Sequence, residues 1–258
     1  MPACFSTRLY LAALCLFCPV LATAAPVLLA TGTAYPPFAD EAEPGGGLTV
    51  QIVKAVFARM GEASQIEVLP WKRGYAATLA GKYQATFPYI RTAEREKVFL
   101  YSAPIIQSQS YLFTLPGRQF DLHRPTTLKK QALCVPNGWA AVGQDKVDAA
   151  VAMGTLRLER PNDIHSCIRM VSAGRADGIV LMDLLARTLF AINGMEHRFE
   201  RSAIPVGATE LALIAPRDAP GSAALLTRFN EALMAMKADG SYQRLLPDAP
   251  PAKKTKSR

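Results

Sequence analysis

Hydrophobic and polar positions along the chain switch repeatedly between two periods. Short runs rich in β-branched and other apolar residues at 27–31, 66–69, 85–87, 110–114, 132–135, 178–181 and 209–215 read as strands. Between them lie stretches with helical spacing. From 48 to 60 the apolar residues Ile52, Val53, Val56, Phe57 and Met60 recur on one face, and Gly61 ends the element. Residues 72–80 predict a shorter helix stopped at Gly81, which makes the opening third a βαβαβ unit. In the second half, Ile164, Cys167, Ile168 and Val171 set one apolar face on a helix over 163–173, with Asn162 as its cap and Gly174 at its end. Helices are also predicted over 183–192 and 222–238, the latter carrying Leu225, Leu226, Phe229, Leu233 and Met236. After the 132–135 strand comes the turn Pro136-Asn137-Gly138, where a further helix is expected to begin. This alternation predicts an α/β fold of layers around largely parallel sheets.

No fixed-period repeat and no low-complexity linker separates the two halves. The stretch Leu115-Pro116-Gly117-Arg118-Gln119 follows a strand and reads as the exit from a first lobe, with the return near 209–215. Residues 25–114 plus 210–248 are therefore expected to form lobe 1 and 115–209 lobe 2.

The 258 residues are 50% hydrophobic and 19% charged, which excludes a disordered, collagen-like or disulfide-dominated chain. Net charge is +8, but Arg8, Lys253, Lys254, Lys256 and Arg258 sit at the ends, and setting these five aside leaves +3. That balance gives no case for nucleic acid, and 249–258 reads as a basic, frayed tail. Arg8, the apolar run 9–21 and Ala22-Thr23-Ala24 match a secretory signal peptide over 1–24, with a mature start at Ala25. The run of about 13 residues is short for a bilayer span of roughly 20. Neither Cys15 nor Cys18 follows a small residue, so a lipid anchor is not expected. The expected location is the periplasm, as a soluble protein.

Of five cysteines, Cys4, Cys15 and Cys18 would leave with the signal. Cys134 and Cys167 remain, either as one disulfide closing a loop of about 34 residues, worth roughly 3–4 kcal/mol, or as two buried thiols. His123, His165 and His197 are scattered singly, so no metal site and no cofactor is expected.

Several segments, taken in order, resemble the extracellular solute-binding proteins of family 3, the periplasmic receptors of polar amino-acid ABC importers. They are the opening Ala30-Thr31-Gly32-Thr33-Ala34-Tyr35-Pro36-Pro37-Phe38; Trp71 with Leu79 and Gly81; Arg91-Thr92-Ala93-Glu94-Arg95 leading to Phe99-Leu100-Tyr101-Ser102-Ala103-Pro104; Gly174-Arg175-Ala176-Asp177; and Met236-Lys237-Ala238-Asp239-Gly240-Ser241-Tyr242. The resemblance implies a two-lobed periplasmic-binding-protein fold of type II, with two hinge strands and a ligand cleft between the lobes. It also implies a small-molecule solute, an ABC-transporter permease in the inner membrane as partner, and no catalysis. Nothing in the chain suggests a stable oligomer, and a monomer is expected.

Residue by residue, the resemblance puts Arg95 where a guanidinium grips a ligand carboxylate, a task for which a planar, permanently charged fork is suited and an ammonium is not. Arg91 either joins it or points to solvent. Tyr35, Trp71 and Tyr89 fall at pocket-wall positions, where rings would hold a cation or a flat group; Phe38 reads as core. The Asn137-Gly138-Trp139 turn should bring backbone N–H groups from lobe 2, with Trp139 as a lid or as packing.

The chain also departs from the pattern. Met182 stands where amino-acid receptors carry an Asp, and Asp183 comes one residue late, which at a strand end turns a side chain to the opposite face. Asp183 then either reaches ligand from a loop or caps the next helix. Ile90 replaces a hydroxyl-bearing residue, and Thr49 and Gln51 stand where a Gly and an acid are usual. These changes favour an anionic or aromatic solute over a standard α-amino acid. Two alternatives share the fold: a secreted cyclohexadienyl dehydratase-like enzyme, with Glu210 or Asp183 as acid, and a sensor module feeding a membrane kinase.

Overall fold

The structure is a computed structural model that describes residues 25–246. The signal segment with Cys4, Cys15 and Cys18, and the basic tail, lie outside the described residues. The chain opens with β1 (Val27–Thr31), α1 (Leu48–Arg59), β2 (Ser64–Val68), α2 (Trp71–Leu79) and β3 (Ala85–Tyr89). A one-turn helix α3 (Ala93–Glu96), β4 (Phe99–Tyr101) and the long β5 (Ile106–Thr114) follow. The second half comprises β6 (Gln131–Cys134), α4 (Gln144–Ala152), β7 (Leu156–Glu159), α5 (Ile164–Ser172), β8 (Gly178–Met182), α6 (Asp183–Ile192) and β9 (Glu200–Arg201). The return strand β10 (Gly207–Pro216) and α7 (Ser222–Ala238) complete it.

The expected α/β alternation holds. Strands β2, β1 and β3 are parallel neighbours, as are β7, β6 and β8. Two long antiparallel strands join these groups. Gly207–Leu211 of β10 pairs with Ile106–Ser110 of β5, after which β10 continues antiparallel to β3 and β4 and β5 continues antiparallel to β8. Each long strand thus changes partners midway, so the two lobes share backbone hydrogen bonds at one place. The exchange on β5 occurs at Ser110, whose hydroxyl is 2.6 Å from that of Thr209 in a buried pair. Residues 110–114 already pair with β8, ahead of the Leu115 exit.

The predicted amphipathic faces bury, except that Met60, just past the end of α1, is only half-buried. Ile52, Val53, Val56 and Phe57 of α1 pack inward, and Phe57 meets Phe229 of α7 at 5.9 Å between ring centres, so α7 returns to the first lobe. In the second lobe, Ile164, Cys167, Ile168 and Val171 are all buried. Cys167 bonds to Cys134, with Cα atoms 5.6 Å apart, so of the two expected states the disulfide is present and ties α5 to the end of β6.

Two local expectations are corrected. The cap of α5 is Asp163, whose carboxylate accepts the Ser166 N–H at 2.7 Å, not Asn162. No helix starts at Asn137-Gly138-Trp139: α4 begins only at Gln144, because Gly138 and Gly143 both adopt left-handed φ (82° and 68°) and hold the intervening chain as a turn. The Asn137 and Trp139 N–H groups there are spent on Pro161 O and Pro136 O, so the turn is not a helix-terminal anion site.

Candidate functional site

Beside the β5–β10 crossing, side chains from both lobes converge on one cleft. The first lobe supplies Tyr35, Trp71, Pro88, Tyr89, Ile90 and Arg95; the second supplies Gly138, Trp139 and Ala140; Leu211 comes from β10 itself. The free space between them is about 40 Å³, room for roughly three waters. Both tryptophans of the chain are here, one from each lobe.

Local sequence fixes each wall. Pro70 is the N-cap of α2, so Trp71 is the first helical residue, and its ring lies against the Gly32–Thr33 backbone that follows β1. The ring lies so close to Gly32 that a Cβ there would sit 2.1 Å from it, which is why the backbone before Tyr35 is glycine. Indole Nε1 donates to Thr33 O at 3.0 Å. Trp71 stands edge-on to Tyr35 (5.9 Å, 85°) and to Tyr89 (5.7 Å, 85°), and Trp139 closes against Tyr35 (4.8 Å, 80°). The result is a chain of nearly perpendicular rings from both lobes. Burial pushes the Tyr35 phenol well above its usual range and the Tyr89 phenol up to about 12, so both stay neutral donors.

Arg95 is delivered by α3. Thr92 caps this single turn by accepting the Arg95 N–H at 3.2 Å, and the guanidinium then donates Nη1 to Ile90 O at 2.8 Å and Nη2 across the cleft to Gly138 O at 3.2 Å. It also stands 5.1 Å from the Tyr89 ring centre. Arg91 does not join it. That residue precedes α3, so the four-residue spacing is not a helical one; it pairs with Glu96 and covers the Tyr101 ring on another face.

Seven of the ten predicted site residues line the cleft: Tyr35, Trp71, Tyr89, Ile90, Arg95, Gly138 and Trp139. Arg91, Asn137 and Asp183 do not. Asn137 turns to Asn162 at 3.3 Å. Asp183 is the first residue of α6, provides no side-chain cap, and is held outside by Arg187 (3.2 Å) and Arg201 (3.1 Å). Met182, one residue earlier, is buried and presents its sulfur to the Tyr35 hydroxyl at 4.0 Å. Glu210, the other acid considered, bonds Gln107 at 3.1 Å on the strand surface and does not line the cleft. Pro88 and Ala140 flank predicted residues and could have been included for that reason, whereas Leu211 carries no chemical signal in the sequence.

The model of the bacterial extracellular solute-binding proteins, family 3, matches residues 27–247. The chain belongs to this family. No curated protein matches it in sequence. Solved structures similar to this family-3 protein include the GluR0 ligand-binding core from Nostoc punctiforme in complex with L-glutamate (TM-score 0.68, 19% identity, 85% of this chain and 97% of that one). A histidine kinase sensor domain with similarity to periplasmic binding proteins gives TM-score 0.71 at 15% identity over 86% and 95% of the two chains. An ancestral arginine-binding protein bound to arginine gives 0.70 at 18% over 86% and 97%. At these identities the likeness is one of fold, the two-lobed type II periplasmic-binding-protein fold.

Several of the family-like motifs prove structural. Asp177 accepts the Ala132 N–H at 2.7 Å and so registers β6 against β8. Asp239 accepts the Ser241 N–H at 2.9 Å and pairs with Arg59 at 2.6 Å, while the Tyr242 hydroxyl donates to Ile105 O at 2.7 Å. Together these fasten the end of α7 to the first lobe.

Proposed function

We propose that this family-3 protein is an exported receptor that closes its lobes on a small carboxylate-bearing solute and delivers it to an ABC-transporter permease. The lobes divide at the β5–β10 pair, with residues 25–114 plus 210–248 in lobe 1 and 115–209 in lobe 2, and the end of β5 running on along β8. The observation that carries the reading is Arg95: a guanidinium set in an aromatic cleft, its donors shared between the lobes. A carboxylate would take Nη2 from Gly138 O and gain a charge-assisted bond. Closure follows because the solute touches both lobes only when they meet. The signal-like residues 1–24 support export to the periplasm.

The test is small-angle scattering across a panel of organic acids and amino acids. A bound solute should compact the protein, and Arg95→Ala should weaken an acidic solute about 10- to 100-fold, the range for a hydrogen bond to a charged group. Unchanged compactness with a tightly bound solute would remove the closure mechanism, and unchanged affinity in Arg95→Ala would remove the clamp. The likeness to a histidine kinase sensor domain supports a second reading, in which the same closure signals to a membrane kinase. Pull-down with detergent-solubilised membranes separates the two partners.

A further inference from the structure

The charges around the cleft are of one sign. Arg95 is the one ionisable cation among the lining residues, and none of those residues is acidic. One further cation holds the Gly138–Trp139 turn. Arg160 donates to Trp139 O at 3.2 Å, while the aliphatic stem of Lys72, from the opposite lobe, runs beside the turn, its Cγ and Cε 3.8 and 3.9 Å from where a Cβ on Gly138 would stand. The acids nearest in sequence are engaged elsewhere: Asp183 with Arg187 and Arg201, Glu96 with Arg91, and Glu210 with Gln107, while Glu94 is exposed to solvent.

A primary ammonium brought into this cleft would lose its water and meet no carboxylate. Besides the Trp139 ring, what meets Tyr35 from the second lobe is the thioether of Met182, which faces its hydroxyl and is at best a weak acceptor. Aromatic faces attract cations, but the guanidinium of Arg95 already occupies the Tyr89 face, and a second positive charge beside it is repelled. A net anion, by contrast, neutralises the site.

The geometry points to a ligand class: a monocarboxylate with a flat or apolar body and no α-ammonium, its carboxylate on Arg95 and its body taking the place against Trp71 and Tyr35 that Trp139 holds in this structure. This rests on the reading of the cleft as the solute site. The perpendicular rings offer faces to an unsaturated or aromatic body, and Ile90 and Leu211 supply the remaining apolar contact.

Calorimetric titration of the full mature protein with matched pairs tests the class: hydrocinnamate against L-phenylalanine, indolepropionate against L-tryptophan, isocaproate against L-leucine. Members of each pair differ only by the α-ammonium. The deaminated acid should bind at least tenfold tighter in one or more pairs, and Met182→Asp should reverse that preference. Met182→Leu, which keeps the site apolar, should preserve it and guards against a folding defect in the aspartate variant. Amino acids that bind as tightly as their deaminated partners in every pair that binds overturn the ligand class and leave the receptor reading standing. Absence of binding by every deaminated acid also overturns it. The receptor reading itself falls only if no member of the wider scattering panel binds and compacts the protein.

Discussion

Gly32→Ala tests how the aromatic wall is held. The added methyl would lie 2.1–2.3 Å from three atoms of the Trp71 indole, so the ring cannot stay where it is. Gly32 does not need left-handed backbone, so the clash with Trp71 is the perturbation. Displacing the ring gives up the bond from Nε1 to Thr33 O and the edge contacts with Tyr35 and Tyr89. At about 1 kcal/mol for the hydrogen bond and about 0.5–1.5 for each aromatic pair, the loss is about 2–4 kcal/mol. With a urea slope near 3 kcal/mol/M for a protein of this size, the unfolding midpoint should drop by about 1 M. The assay belongs in a Trp139→Phe background, because the chain has two tryptophans and Trp71 then becomes the single emitter. Its emission should also shift to the red as the ring meets water. A midpoint within about 0.2 M of the parent, with unchanged emission, would refute the claim that Gly32 exists to admit the indole.

Two further outcomes follow from the same structure. Replacing both Cys134 and Cys167 by alanine removes the link between β6 and α5; for a loop of about 34 residues the chain-entropy cost is roughly 3–4 kcal/mol, readable as a lower urea midpoint, and a loss under about 1 kcal/mol would show that the crosslink constrains the unfolded chain little. The buried phenols make stability fall in alkali. The folded state holds the Tyr89 proton up to about pH 12 while the unfolded chain releases it near the ordinary value of about 10, so this contribution is complete below about pH 10 and declines above it. Urea midpoints measured from neutrality upward should bend downward there, and less steeply in Tyr89→Phe; identical slopes in the two proteins would assign the loss to other groups.

The long periodic elements were legible because burial imposes their pattern: the apolar faces on α1 and α5 are continuous, and α6 and α7 begin and end where the spacing does. What escaped were short pieces whose form depends on partners. Strand β7 has four residues and exists by pairing with β6, and β4 has three and leans on β10. In the site, Arg91 and Arg95 look equivalent as letters, and only the start of α3 at Ala93 separates them. The step from Met182 to Asp183 was readable in direction, since a strand end turns consecutive side chains apart; the engagement of Asp183 by Arg187 and Arg201 comes from a helix turn and a distant strand and leaves no local trace. Leu211 is invisible for the opposite reason: on a crossing strand an apolar residue faces cleft or core with the same sequence pattern.

On the proposed reading, the group that grips the solute is also the group that joins the lobes. The contacts that cross the cleft without a solute include the Arg95 bond to Gly138 O, the Tyr35–Trp139 edge pair and the Tyr35 hydroxyl against the Met182 sulfur, the first two worth about 1 kcal/mol each. Together they bias closure by roughly tenfold to thirtyfold. A carboxylate offered to the same Nη2 exchanges a neutral acceptor for a charged one. The differential affinity that drives closure is therefore electrostatic and specific to anions, while the rings, already packed against one another across the cleft, select the shape of what the anion carries.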